Sequence, residues 1–135
     1  MHSLRLAEAA RLLGVSDDTV RRWADSGSLA SGIDERGRRV VAGPDLAAFA
    51  VAQAERAERP EPGPTGRASA RNRMVGIVTR VLRDTVMAQV EMQCGPYRIV
   101  SLMSREAADD LGLEPGAVAV ASIKATNVVV EVEAP

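Results

Sequence analysis

Five polar side chains in the C-terminal half of the sequence, Ser69, Arg71, Ser104, Lys124 and Thr126, are of types that can replace water around a compact anion. A tetrahedral dianion gives up much of its hydration on binding, and this is costly unless other donors surround it. Hydroxyls, backbone N–H groups and one or two fixed positive charges are suitable replacements. Lys124 stands apart because it is the only lysine in a chain whose other basic side chains are Arg. A compact ammonium and a planar guanidinium are not interchangeable in a tight anion pocket, so this solitary Lys reads as a charge wanted at its position.

A second polar group lies near the N-terminus. Ser16, Asp18, Thr19, Arg21 and Arg22 fall in the first turns of one expected helix, and Arg36, Arg38 and Arg39 cluster around Gly37 in an expected turn. A helix that enters the major groove presents the polar side chains of its first turns to base edges. Arg either reads guanine through two hydrogen bonds or holds a phosphate. The turn then serves as a short basic wing against the DNA backbone. Asp17, Asp18 and Asp25 weaken the attraction, so one copy is expected to bind weakly and useful affinity to require two or more copies.

Other chemistry finds little support. The single His, His2, is terminal, and no Cys, His and Asp set has metal-ligand spacing. An enzyme, a metal centre and a covalent cofactor are therefore not expected. The formal net charge of -1 supplies no general basic field. One cysteine, Cys94, permits no internal disulfide and fits a reducing compartment. Without an apolar run of membrane-spanning length or the apolar core of a signal peptide, the chain is expected to be cytoplasmic and to have no membrane partner.

The elements that position these groups follow from periodicity. Leu6, Ala9, Ala10 and Leu13 fall on one helical face, ended by Gly14. Ser16 suits the N-cap of a second helix, with Asp17 and Asp18 in its first turn and Val20, Trp23 and Ala24 along its apolar stripe. Two short strands around Arg36-Gly37 and a third helix after Pro44, with Leu46 and Phe49 facing inward, complete this half. The run RPEPGPTG breaks regular structure. It divides the chain into domains at 1–58 and 68–135, joined by a linker at 59–67. Beyond it the period becomes that of strands. Residues 74–83, 86–94, 97–102, 118–123 and 128–132 read as five strands, with a short helix at 104–111. Gly76 marks a bulge or a close backbone approach. Cys94 and the Met residues read as core, Asn72 as a tie within its loop, and Arg73 as a surface ion-pair residue. The fold class is α+β, a winged helix-turn-helix followed by a five-stranded β-barrel of the OB type.

Two resemblances attach to these residues. The segment from Leu4 to Leu29, through Ala7, Ala10, Leu13, Gly14, Val15, Ser16, Thr19, Val20, Arg21, Trp23 and Gly27, resembles the MerR and excisionase-like winged helix-turn-helix families. The run Ser69-Ala70-Arg71-Asn72-Arg73-Met74-Val75-Gly76 resembles the opening of molbindins, the molybdate-binding TOBE domains. Residues 104–116 and 123–128 resemble that family's helix-and-turn and its IKA(S/T)xV segment. The second resemblance implies molybdate or tungstate as ligand, with Ser69, Arg71, Ser104, Lys124, Ala125 and Thr126 as oxyanion-binding residues. It also implies a homo-oligomer, from dimer to hexamer, with anion sites between subunits. Together the two imply a molybdate- or tungstate-responsive transcriptional regulator that contacts double-stranded DNA through Ser16, Thr19, Arg21, Arg22, Arg36, Arg38 and Arg39. The alternative is an oxyanion storage protein whose N-terminal domain serves assembly or targeting.

Overall fold

The computed structural model describes residues 2–63 and 69–134. Linker positions 64–67 and position 68, the expected start of the second domain, lie outside the described residues. The chain divides into two compact units, Met1–Glu58 and Arg59–Pro135.

The N-terminal unit holds β1 (Ser3–Arg5), α1 (Leu6–Leu13), α2 (Asp17–Ser26), β2 (Gly32–Ile33), β3 (Arg39–Ala42) and α3 (Gly43–Arg56). Gly14, at φ 69°, ends α1 in the left-handed conformation that glycine adopts without a Cβ clash. Ser16 caps α2, its hydroxyl accepting from the Thr19 N–H at 3.2 Å. The helices pack through Ala9, Ala10, Val20, Leu29, Val41 and Leu46. Trp23 covers this core and meets Phe49 at a ring-centroid distance of 5.0 Å. The sheet is antiparallel in the order β1-β3-β2. β1 was not expected from periodicity. It exists because Ser3, Leu4 and Arg5 pair with Ala42, Val41 and Val40, far along the chain.

The C-terminal unit holds β4 (Ala70–Arg83), β5 (Met87–Cys94), β6 (Tyr97–Ser104), α4 (Arg105–Asp110) and β7 (Val118–Lys124), then a 3-10 turn at Ala125–Asn127. The long β4 changes partner along its length. Its first half pairs with β7 and its second with β5, and Ile77 faces both Val118 and Gln93. Val78, Val90, Met92, Cys94 and Leu113 form the core.

The α+β class holds, but the expected closed five-stranded barrel does not. The described strands form an open four-stranded sheet, ordered β6-β5-β4-β7, so β6 and β7 are its edges. The fifth expected strand, 128–132, is not a strand in the described residues, and Val129, Val130 and Val132 are 82%, 85% and 91% exposed. What these residues lack, among the described residues, is a strand partner. Among the described residues, no helix is long and apolar enough to cross a membrane.

Candidate oxyanion and nucleic-acid sites

One end of the C-terminal sheet gathers most of the candidate anion donors. Ala70 pairs with Lys124, and the Asn72 side-chain amide donates to the Ile123 carbonyl at 3.1 Å. The turn that carries Ala125 and Thr126 contacts β4. Ser69 and Arg71, which flank Ala70, are thereby set beside Lys124, Ala125 and Thr126, and all five are exposed. The edge thus presents hydroxyls, one ammonium and one guanidinium, with no carboxylate among these five. That is the donor set an oxyanion requires.

Ser104 stands elsewhere. It pairs with Met87 at the start of β5, whose next residue, Ala88, faces Arg83 at the far end of β4. About 40 Å of strand contour separates Ala70 from Arg83. The Ser104 hydroxyl accepts from the Ala107 N–H at 3.1 Å as the N-cap of α4. Its own O–H remains a donor. By register, Ser104 and the Lys124 group therefore belong to opposite ends of β4.

Arg73, read from sequence as an ion-pair residue, has a different role. Its Nη1 donates to the Gly63 carbonyl at 3.0 Å, while its Nε is buried with no partner among the described residues. Periodicity carries no signal for a bond to an irregular segment ten residues away.

In the N-terminal unit, Ser16, Asp18, Arg21, Arg22 and Asp25 line one shallow concavity on α2. Several of the candidate DNA contacts are held internally. Arg21 meets Asp18 at 3.4 Å, and the Arg22 guanidinium donates to the Thr19 hydroxyl at 3.3 Å. Arg39 bridges to Asp25 at 2.6 Å and donates to Ser31. Arg38 pairs with Asp34 at 3.1 Å. Asp34 also accepts from the backbone N–H groups of Arg36 and Arg38, each at 2.9 Å. The Arg38 N–H bond, chiefly, holds its carboxyl below the ordinary value, with help from Arg36 N–H and the Arg38 guanidinium. Arg38 and Arg39 thus shape the β2–β3 hairpin, whereas the exposed Arg36 stands at its tip next to Gly37. The Asp34 turn had a legible signal, since Asp three residues before Gly favours such self-bonded turns. The Asp25–Arg39 bridge spans fourteen residues and had none.

Among the described residues, no three His, Cys, Asp or Glu side chains group as a cation site.

Residues 3–53 match the helix-turn-helix domain model, and residues 68–130 match the TOBE domain model. No curated protein matches the chain. Among solved structures, a molybdate-binding protein from Sporomusa ovata is 30% identical, with 49% of this chain and 98% of that chain covered and a TM-score of 0.47. MopII from Clostridium pasteurianum is 31% identical over 49% of this chain and 100% of its own, with a TM-score of 0.46. The cytoplasmic molybdate-binding protein ModG, solved with molybdate bound, is 42% identical over 47% of this chain and 46% of its own, with a TM-score of 0.46. The chain therefore belongs to the TOBE domain family through its C-terminal residues, and carries a helix-turn-helix domain ahead of them.

Proposed function

We propose that the chain binds molybdate or tungstate at sites shared between copies of itself, and that the bound anion controls DNA binding by its helix-turn-helix units. The observation that carries this reading is the separation of the donors. Ser69, Arg71, Lys124, Ala125 and Thr126 share one end of the sheet, while Ser104 caps a helix beyond the opposite end of β4. Two chains placed antiparallel about a two-fold axis join each chain's Lys124 end to the other's Ser104 end and close two such sites at once. The sequence similarity to molybdate-binding proteins supports the choice of ligand.

The open sheet supports the assembly. Val128, Val129, Val130 and Val132 stand exposed beyond the 3-10 turn, and β6 and β7 are the sheet edges among the described residues. A second copy supplies both a strand partner and apolar cover, which water does not. Assembly into a dimer or a larger ring up to a hexamer also gathers several DNA-binding units, which raises avidity.

On the DNA side, Arg22 and Arg36, with Ser16 and Thr19, make the outward contacts, and Arg21, Arg38 and Arg39 contribute where phosphate displaces their carboxylate partners. One observation favours a storage role instead. Residues 1–58 carry eight Arg and nine acidic side chains, so the unit has no basic excess. Titration with molybdate, tungstate and sulfate, with and without DNA carrying the protein's own promoter, separates the two. The regulatory reading predicts that anion affinity changes when DNA is present, by the same factor that DNA affinity changes with anion. Tight anion binding that is indifferent to DNA establishes storage.

A further inference from the structure

Arg73 carries an inference that rests on the oxyanion reading above and adds its regulation. Arg59, Pro60 and Pro62, which open the C-terminal unit, line a cleft of about 500 Å³ together with Arg73, Cys94 and Tyr97. The only hydrogen bond found from β4 to this segment, among the described residues, is the one from Arg73 Nη1 to the Gly63 carbonyl. That guanidinium is poorly satisfied. A neutral carbonyl takes one of its donors, and its buried Nε has no partner among the described residues. Arg71, at the candidate anion edge, is two residues away along β4, about 7 Å. Charge-assisted hydrogen bonds to a dianion are roughly twice as strong as bonds to a neutral carbonyl. An extended Arg side chain spans such a distance.

We propose that Arg73 is a shared donor: it clamps the Arg59–Gly63 segment to the sheet, and an oxyanion bound beside Arg71 draws its guanidinium away and frees that segment. Gly63 and the anion then compete for one cation, so occupancy of the site is converted into freedom of the chain that leads to the helix-turn-helix unit. Competition for a single group gives the two states differential affinity, which any such switch requires.

The chain contains its own reporter. Cys94 is the only cysteine, is buried, and lines the same cleft as Pro60 and Pro62. The test is the labelling rate of Cys94 by a maleimide in the full-length protein, measured with and without molybdate, alongside calorimetry on the same samples. In the wild type, molybdate is expected to accelerate labelling several-fold. R73A is expected to label at the faster rate under both conditions and to bind molybdate more weakly, having lost the shared donor, and R73K to restore part of the slow labelling. A wild-type rate unchanged by saturating molybdate overturns the proposal, as does R73A labelling as slowly as the wild type. If calorimetry finds no molybdate binding, the oxyanion reading fails on its own, and the R73A comparison without ligand still decides whether Arg73 clamps the segment.

Discussion

Replacing Gly76 by Ala tests how β4 is held where it changes partner. A Cβ on Gly76 falls 2.5 Å from Cys94 Sγ and 2.6 Å from the Gln93 carbonyl oxygen. Ordinary contacts of this kind lie near 3.5–4.0 Å, so one strand must move by roughly 1 Å. Sulfur can rotate away, but the Gln93 carbonyl belongs to the β5 backbone and cannot. Overpacking of this kind costs about 1–3 kcal/mol. For a unit of this size that corresponds to a fall in Tm of roughly 5–20 °C. The assay is thermal unfolding at matched protein concentration, because the proposed assembly would make Tm concentration-dependent. The pair G76A/C94A sharpens it. Removing Sγ relieves one of the two clashes, so the double variant is expected to recover part of the loss and leave the remainder at Gln93. G76A melting within a degree of the wild type refutes the close approach, and full rescue by C94A refutes the backbone clash. Because Gly76 lies next to Ile77, where β4 passes from β7 to β5, the displacement is also expected to disturb the register of Ala70 with Lys124 and weaken oxyanion binding.

Three further outcomes are expected. V130D leaves the isolated fold intact, since Val130 is 85% exposed, yet weakens assembly at least about tenfold in sedimentation, because burying one Val is worth at least about 1.5 kcal/mol. R36A lowers DNA affinity and reduces the salt slope by about 1, whereas R38A acts mainly through the hairpin and is mimicked by D34N; equal salt slopes for R36A and the wild type count against a phosphate contact. The Asp34 carboxyl is depressed in the folded chain, so its contribution is complete above the ordinary value of 3.8 and is lost as pH falls through the lower folded value. Amide exchange at Arg36 and Arg38 should therefore show constant protection from neutral pH down to that ordinary value and lose it only below.

The parts of the fold that were legible in the sequence are those with local causes. Gly14 and Gly27 end their helices because only a left-handed residue closes them there, and Ser16 caps because its hydroxyl reaches an N–H three residues on. Cys94 faces the core because alternation puts it there. What escaped depends on partners distant in sequence. β1 is three residues long and is a strand only through β3. The run 128–132 reads as a strand but has no mate among the described residues, so the expected barrel stays open there. At the candidate site, residue types were readable, and the grouping of Ser69 and Arg71 with Lys124 agrees with the motif spacing. The separation of Ser104 from that group was not readable, because it is set by sheet order and register rather than by composition.

The central claim is an oxyanion site built from the Lys124 end of one chain and the Ser104 end of another. Complementation tests it most directly. K124A removes the ammonium, while S104D keeps an N-cap for α4 and sets a negative charge against the anion. Each variant alone is expected to lose molybdate binding by calorimetry. Co-refolded in equal amounts, the two should regain binding in about a quarter of the sites, those that combine a sound Ser104 with a sound Lys124 from different chains. A mixture that stays as inactive as either variant, although it has exchanged subunits, places both residues in one chain's site and contradicts the account.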